Sequence, residues 1–261
     1  SRERSVAATT TPDAPERSDD ELASAPEHPE PIYLETPEPL KAIYMTQCVA
    51  GTPSFREKLI AIAETTEINA MVIDVKDYTG WIGFHPQDPE LKEYFGGHCY
   101  APDMRELVRR LNEKGIYTIA RLTVFQDPLW AADHPDYAVQ TESTKEVWSD
   151  HKGLHFVDVS ARPFWEYITK LSRETYELGF DEINYDYIRF PTDGDMDDIY
   201  FPQSNDAVKG DPVYGKATAL KRFFAYLETQ TDEIGVVTSA DLFGMVTTNR
   251  DDLGIGQVLE D

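Results

Sequence analysis

The sequence lacks the short motifs that mark several large enzyme classes. It has no GxGxxG fingerprint in its first strand–helix turn, no P-loop and no GxSxG elbow, so nothing indicates dinucleotide binding, nucleoside triphosphate binding or serine hydrolase chemistry. HExxH and CxxC are also absent, and two cysteines cannot form a structural zinc site without other ligands. We therefore expect neither a cofactor nor a metal.

Positive charge and long apolar runs are scarce. Lys and Arg number 24 against 48 Asp and Glu, which gives a net charge of −24. Such a chain repels phosphates, so nucleic acid and anionic membranes are not expected partners. The negative charge is compatible with a neutral or cationic substrate, and the alternative is that it serves only to keep the protein soluble. No stretch approaches the roughly 18–20 apolar residues of a spanning helix. No signal peptide is visible at Ser1, and because that residue is not Met, removal of an upstream segment is compatible with the sequence.

Residues 1–39 are poor in aromatic residues and rich in proline and acids. They hold seven of the 17 prolines and ten acids against three arginines, and Tyr33 is their only aromatic residue. Such a composition cannot bury enough apolar surface to offset the entropy of ordering it, so we predict a disordered, extended linker before a domain at 40–261. Linkers of this kind often join a catalytic domain to an upstream membrane anchor or cell-surface module, which is our hypothesis here.

From residue 40 onward, strand-like segments alternate with amphipathic helical ones. The pattern predicts strands at 41–47, 69–76, 116–125, 180–189 and 235–243. It predicts helices at 53–65, 102–114, 162–178 and 214–229, and a short helix near 128–134. This alternation favours a parallel sheet with right-handed crossovers, either an open doubly wound sheet or a barrel.

Polar side chains recur at the C-terminal ends of the predicted strands, which favours the barrel. They are Asp74, Lys76, Arg121, Asp186, Arg189 and Asp241. A closed TIM-type (β/α)8 barrel needs eight strands, whereas five are found and residues 254–261 are predicted to begin a further helix. We therefore predict an α/β fold of the TIM-barrel type that is truncated at its C-terminus.

The run GFDEINYDYIRFP at 179–191 places acids on a strand that otherwise looks buried. Glu182, Asn184 and Asp186 share one face at period two, and acids in apolar surroundings are costly unless something satisfies or uses them. Asp186 closes this strand and Asp241 closes the next, and neighbouring strands lie about 4.8 Å apart. The two carboxylates could therefore match the roughly 5–5.5 Å of retaining glycosidases or the roughly 6.5–9.5 Å of inverting ones.

In this interpretation Asp186 and Asp241 are a nucleophile and a general acid, and a nearby cation keeps the nucleophile ionised. The alternative is structural: Asp186 pairs with an arginine inside the barrel, and Asp241 caps a helix. Six residues are predicted to bind substrate or support the pair, with local salt bridges and core packing as the competing explanation: Asp74, Lys76, Arg121, Asn184, Arg189 and Trp81. Aromatic residues in the rim loops, Trp81 among them, could stack on sugar faces.

The two cysteines, Cys48 and Cys99, fall near loops on the same rim of the predicted barrel. A disulfide in an oxidising compartment and two free thiols both fit this placement.

Several segments of the chain resemble a known family. They are VIDVKDYTG at 72–80, HFVDVSARPFWEYI at 155–168, GFDEINYDYIRFPTDG at 179–194, SADLFG at 239–244 and DDLGIGQ at 251–257. With these segments the chain resembles a bacterial glycosyl-hydrolase domain family of unknown function, a (β/α)8-barrel group distantly related to the α-amylase superfamily. The resemblance covers essentially the whole chain after the predicted linker.

The resemblance implies a fold, a site and an activity. In α-amylase-like enzymes an acid closing the fourth strand is the nucleophile and an acid closing the fifth is the proton donor, which correspond to Asp186 and Asp241 here; those enzymes have glutamate as the donor. The implied activity is hydrolysis of O-glycosidic bonds in a polysaccharide, outside the cell or at its envelope. The alternative is a non-catalytic carbohydrate-binding or cell-envelope module that keeps the barrel. The oligomeric state stays open.

Overall fold

The computed structural model of the protein describes residues 29–250. Five strands form one parallel sheet in the order β1-β2-β3-β5-β7. They are β1 (Ala42–Met45), β2 (Ala70–Lys76), β3 (Tyr117–Thr123), β5 (Glu182–Asp186) and β7 (Val237–Ala240). Two further strands, β4 (Gln140–Thr141) and β6 (Ile199–Tyr200), form a small antiparallel ribbon. The α/β class and the parallel sheet of five strands are thus confirmed.

A long helix connects each pair of consecutive sheet strands. These helices are α2 (Pro53–Thr65), α4 (Met104–Glu113), α6 (Arg162–Glu177) and α8 (Gly215–Ile234). Shorter helices lie in the connections: α1 (Gln47–Ala50), α3 (Pro89–Glu93), α5 (Pro128–Asp133), α7 (Asn205–Gly210) and a 3-10 turn at Gly244–Thr247. Proline stands in the first turn of α2, α3, α5 and α6, where its missing N–H has no intrahelical partner to lose.

The two faces of the sheet have different surroundings. One face carries Ile73, Ala120, Ile183 and Tyr185, all buried beneath the helices, and the Tyr185 hydroxyl lies 2.8 Å from that of Ser172 on α6. The opposite face carries the polar residues of the predicted site, because they alternate with these apolar ones along each strand.

Lys76 departs from this alternation because of a β-bulge. Asp74 pairs in register with Arg121, whereas Lys76 pairs with Leu122, so β2 has one extra residue at this point. A bulge re-aims the side chain that follows it. Lys76 therefore lies on the helix-covered side, 6.0 Å from the ring centre of Phe164 on α6.

Residues 31–39, assigned above to the linker, make specific contacts with the domain. The ring of Tyr33 stacks on Tyr176 with 4.5 Å between centroids, and the Leu34 N–H donates to Asp181 at 2.6 Å. The Thr36 hydroxyl lies 2.9 Å from that of Tyr117. These partners offset the ordering entropy that composition alone sets against the segment, and residues 31–250 lie in one compact unit. Residues 1–28 of the predicted linker and the helix predicted at 254–261 lie outside the described residues.

Cys48 on α1 and Cys99 in the loop before α4 form a disulfide, with their Cα atoms 4.7 Å apart. Of the two alternatives open from the sequence, the structure shows the bonded one. In the part of the chain that the structure describes, no helix is both long and apolar enough to cross a membrane.

Candidate active site

Arg121 lies at the centre of the polar face of the sheet. It is on β3 and pairs in register with Asp74 on β2 and with Asn184 on β5. One guanidinium nitrogen donates to Asp74 Oδ1 at 2.7 Å, while Nε and the other terminal nitrogen both donate to Asp186 Oδ2, with Nε at 3.0 Å. Burial opposes the cation, but the ion pairs with Asp186 and Asp74 keep the pKa of Arg121 above its ordinary value.

Asp186 ends β5 with donors on both carboxylate oxygens. Oδ2 accepts from Arg121, and Oδ1 accepts the N–H of Tyr187 at 2.6 Å. Tyr187 adopts a left-handed backbone with φ of 51°, which ends the strand and turns this N–H back toward Asp186. The Asp186 side chain keeps 21% of its surface exposed, so it is fixed in place and still accessible.

Asp241 directly follows β7, and its backbone N–H donates to the Tyr185 carbonyl at 2.9 Å. Its side chain is 53% exposed, and its Oδ1 accepts from Asn184 Nδ2 at 3.3 Å. Its Oδ2 lies 4.0 Å from Arg121 Nε, the same atom that lies 3.0 Å from Asp186 Oδ2. Because both distances start from the same nitrogen, Asp186 Oδ2 and Asp241 Oδ2 can be no more than about 7 Å apart.

Asp74 and Tyr44 extend the network toward β1. The Tyr44 hydroxyl donates to Asp74 Oδ2, and its ring centre lies 5.8 Å from the Arg121 guanidinium carbon. Burial raises the pKa of Asp74, and the hydrogen bonds from Tyr44 and Arg121 limit the rise. Sequence reasoning missed Tyr44. The available signal was period two along β1, which puts Tyr44 in register with Val72, on the face of Asp74.

A second hydrogen-bonded layer lies deeper on the same face. Asn184 Nδ2 donates to Ser239 Oγ at 3.0 Å, and Ser239 Oγ donates to Glu182 Oε1 at 2.5 Å. The Tyr117 hydroxyl donates to Glu182 Oε2 at 3.0 Å. The buried Glu182 is therefore hydrogen-bonded through both oxygens, and Asn184 holds Asp241 from below. Tyr117 and Ser239 were not among the predicted site residues.

The structure places Lys76 apart from the other residues that were predicted to bind substrate. Its Nζ lies 2.9 Å from Asp127 Oδ2 and donates to the Thr123 carbonyl at 2.7 Å. Both charged side chains are fully buried on the helix side of the sheet, where a substrate at the strand ends cannot reach them. The physical reason is the bulge after Asp74, which interrupts the alternation that the prediction assumed.

Trp81 and Arg189 lie in the loops after β2 and β5. The half-buried Trp81 packs on Gly97, where an added Cβ would come within 2.6 Å of the indole, and its carbonyl accepts from Gln47. Arg189 donates to the Thr192 hydroxyl at 3.1 Å and lies 5.2 Å from the ring centre of Tyr187. Within residues 29–250, no group of three or more His, Cys, Asp or Glu could hold a metal ion.

Comparison with known proteins identifies a family and a fold. No curated protein sequence matches the chain. A crystal structure of a hypothetical protein from Ruminiclostridium thermocellum is similar at 29% identity and a TM-score of 0.66, covering 78% of this chain and 99% of that one.

Two glycosidases have a similar fold. For α-L-fucosidase isoenzyme 2 from Paenibacillus thiaminolyticus, identity is 12% and the TM-score 0.53, with 77% of this chain and 32% of that one covered. For the α-galactosidase from Lactobacillus brevis, identity is 13% and the TM-score 0.52, with 84% of this chain and 29% of that one covered. The chain thus spans about a third of these enzymes, and at such identities the likeness shows the fold alone.

The profile of one protein family matches residues 42–261, which is most of the chain. That family is described as "Putative glycosyl hydrolase domain". The match agrees with a polar site at the strand ends of a sheet that glycosidases share, so a glycoside hydrolase-like function is supported. By this match, the chain belongs to that glycosyl hydrolase domain family.

Proposed function

We propose that this protein is a retaining glycoside hydrolase that cleaves O-glycosidic bonds in a polysaccharide, with Asp186 as nucleophile and Asp241 as acid and base. The observation that carries the proposal is the shared Arg121 Nε, which limits the distance between the two carboxylate oxygens to about 7 Å. Retaining enzymes separate their carboxyl groups by roughly 5–5.5 Å, and most of the roughly 6.5–9.5 Å range of inverting enzymes lies beyond this limit.

The surroundings of the two acids fit different roles. Within residues 29–250, Asp186 accepts hydrogen bonds from the Tyr187 backbone N–H and from the Arg121 cation, which suits an anion that attacks the anomeric carbon. Asp241 is more exposed and lies at the outer end of the pair, so its proton can pass to the leaving glycosidic oxygen. Attack then gives a glycosyl ester on Asp186. The ionised Asp241 next takes a proton from a water molecule whose oxygen attacks the anomeric carbon. The ester bond to Asp186 breaks, the Asp186 carboxylate is restored, and the sugar leaves with its original anomeric configuration.

We further propose that the sheet is part of a (β/α)8-type barrel with the candidate site at its C-terminal mouth. All five strands are parallel and follow sequence order across the sheet, with a helix between successive strands. Asp74, Asp186 and Asp241 all lie at or near the C-terminal ends of their strands, where barrel enzymes carry their active sites. The TIM-barrel-like folds of the similar glycosidases support this arrangement.

We propose an extracellular or cell-envelope location. The support is the Cys48–Cys99 disulfide, because disulfides persist mainly in oxidising compartments. Thiol labelling of the protein from fractionated cells, with and without prior reduction, tests this: both cysteines should become reactive only after reduction.

The catalytic proposal is tested by a hydrolysis screen with matched variants. The panel contains p-nitrophenyl glycosides, including α-L-fucosides and α-galactosides because similarly folded enzymes bear those names, together with neutral polysaccharides. Asp241→Asn is expected to lower kcat by roughly 10²–10⁴-fold, and Asp186→Asn by at least as much. Asp197→Asn, in the exposed acidic loop, is the matched control and should leave kcat unchanged.

The stereochemistry tests the mechanism separately. Proton NMR of the first product should show retention of the anomeric configuration, and inversion would contradict the assignment of Asp186 as nucleophile. If Asp186→Asn keeps full activity, Asp186 is not in the mechanism. If the wild type binds oligosaccharides yet hydrolyses none of the panel, the non-catalytic carbohydrate-binding alternative is favoured.

A further inference from the structure

A cavity of about 240 Å³ lies among the loops that follow β2, β3 and β5, next to the segment 150–156. Its wall includes Tyr187, the chain neighbour of Asp186. Among the residues that line it are Tyr78, Gln126, Lys152, Phe156, Tyr187 and Arg189. This cavity is not lined by Asp74, Arg121, Asp186 or Asp241, so the hydrogen-bond network described above does not account for the residues in its wall.

Gln126 is the residue that points to a ligand. Its side chain lines the cavity and is only 5% exposed, and it makes no hydrogen bond to any residue between 29 and 250. A side-chain amide offers two donors and two acceptor lone pairs. Neither amide atom is among the fully buried, unpaired side-chain atoms of the described residues, so the amide is accessible from the cavity and can pair with a ligand there. A ligand with neighbouring hydroxyl groups would pair this amide as both donor and acceptor.

Two tyrosines supply aromatic surface in the same cavity. Tyr78 is 50% exposed, and Tyr187 has the left-handed φ of 51°. A non-glycine residue in that region is strained, and such strain is typical of functional sites. The Arg189 guanidinium carbon lies 5.2 Å from the Tyr187 ring centre. Buried Phe156 adds further apolar area, so one ligand would meet both hydrogen-bonding and aromatic groups.

The charges around the cavity are balanced. Lys152 and Arg189 supply two cations, and Asp150 and Asp193 supply two acids. Asp150 Oδ1 accepts the backbone N–H groups of Lys152 and Leu154, and Asp193 lies 3.5 Å from His151. Nothing in this set favours an anionic group over a neutral one. The volume lies below the roughly 300–1,000 Å³ of drug-sized sites and suits a single sugar ring.

We propose that this cavity is a binding subsite for one uncharged pyranose unit of the carbohydrate, held by the Gln126 amide and the rings of Tyr78 and Tyr187. The inference rests on the proposed hydrolase function for its substrate class. It deepens that function by assigning recognition to Gln126 and Tyr187, which were not among the predicted site residues, together with Tyr78, one of the rim-loop aromatic residues expected to stack on sugars.

The test measures binding apart from hydrolysis. Calorimetry is done in an Asp186→Asn background, so that the probes are not consumed, with maltotetraose, cellotetraose, xylotetraose and galactotetraose as neutral probes and tetragalacturonate as the acidic one. At least one neutral probe should bind, and more tightly than tetragalacturonate. Adding Gln126→Ala or Tyr78→Ala should weaken that binding about five- to tenfold. Phe55→Ala is the control, since this exposed α2 residue lies outside the cavity.

Tyr78 is half exposed, so Tyr78→Ala keeps the test valid if Gln126→Ala fails to fold. Binding of none of the neutral probes, or tighter binding of tetragalacturonate, would overturn the subsite. So would wild-type affinity in both cavity variants. The proposed function is assessed by wild-type hydrolysis. If the wild type hydrolyses the panel and the cavity variants bind the probes normally, only the subsite is overturned. If the cavity variants bind the probes more weakly and the wild type hydrolyses nothing, only the hydrolase assignment is overturned.

Discussion

Arg121 is the residue that organises the candidate site. It occupies the middle of the sheet face, where burial makes an unpaired charge costly, and its fork of N–H donors reaches Asp74 and Asp186 at once. The same arginine fixes the nucleophile geometry and neutralises two partly buried acids. A lysine presents one point charge and cannot make both contacts. The site therefore depends on the identity of this cation as well as on its charge.

Replacement of Arg121 should affect activity and stability together. In Arg121→Met, Asp74 stays buried without its cation, so unfolding free energy should fall by about 3–5 kcal/mol. Hydrolysis should fall roughly 10²–10³-fold, the usual effect of losing one preorganised donor. Arg121→Lys should recover part of the stability and little of kcat. Urea denaturation and initial rates measure both effects. Arg109→Met, which removes surface ion pairs on α4, is the control; an equal loss there would contradict the special role of Arg121.

Lys76 should matter for stability and not for substrate. Lys76→Met leaves Asp127 buried and unpaired, at a cost of about 3–5 kcal/mol in unfolding free energy. Lys76→Met/Asp127→Asn should lose less unfolding free energy than the sum of the two single changes, because no unpaired charge stays buried. The side-chain oxygen of the asparagine can still accept the Trp130 N–H at the start of α5. KM of the folded fraction should stay at the wild-type value. A KM change in the double variant would restore the substrate-binding role that the fully buried ion pair argues against.

At the scale of elements, the spacing of apolar residues and the prolines and glycines at element ends made most of the fold predictable. Pro53 and the apolar spacing predict α2 with the bounds observed, and the apolar run at 69–76 predicts β2 to within one residue. Strand 180–189 ends earlier than predicted because Tyr187 turns into the left-handed region. The β4–β6 ribbon was not predictable, since each strand has two residues and they pair across nearly sixty residues of chain. The β2 bulge was hidden for a similar reason: register depends on the neighbouring strand.

The candidate site was likewise predictable where it depends on one strand and not where it depends on contacts between strands. Asp186, Asn184 and Glu182 could be grouped from the period of one strand, and Asp241 from its position after the next. Period two along β1 offered a signal for the face of Tyr44, but the hydrogen bonds that join Tyr44 and Tyr117 to these acids run between strands, and the sequence pattern of one strand does not encode them.

The contact between α2 and the start of α4 should depend on pH. Arg56 holds Asp103 through two hydrogen bonds, which lower the pKa of Asp103 below its ordinary value. A carboxylate with a depressed folded pKa stabilises the fold above its unfolded pKa of about 3.9, and this contribution is lost as the pH falls through the folded value. Asp103→Asn should therefore lower the unfolding free energy at pH 7 by about 1 kcal/mol or less, since Asp103 is partly exposed. The difference between wild type and variant should vanish in acid. Asp197→Asn is the control, and a difference that persists at pH 2 would contradict the ion-pair explanation.

At the scale of the whole molecule, three long-range links hold the sheet and its loops together. The segment 31–39 runs beside β3, α6 and the start of β5 through Thr36, Tyr33 and Leu34. The polar network joins β1 to β7 through Tyr44, Arg121 and Asp241. The disulfide joins the loop after β1 to the loop before α4. The net charge of −24 opposes compaction by self-repulsion, and these links oppose that repulsion.

The disulfide should contribute measurably to the stability of the whole domain. Cys48 and Cys99 are 51 residues apart, and closing a loop of that length restricts the unfolded chain, with a typical stabilisation of about 2–4 kcal/mol. Cys48→Ser/Cys99→Ser should lower the urea midpoint, and dithiothreitol should lower the wild-type midpoint to a similar value without affecting the double variant. Mass spectrometry after alkylation confirms the redox state in each arm. Since Ala50 on α1 and Ala101 in the loop before α4 are both buried in the hydrophobic core, the reduced protein should still fold. If fully reduced wild type keeps the midpoint of the oxidised protein, the bond does not restrain the unfolded chain and the two loops are held by packing alone.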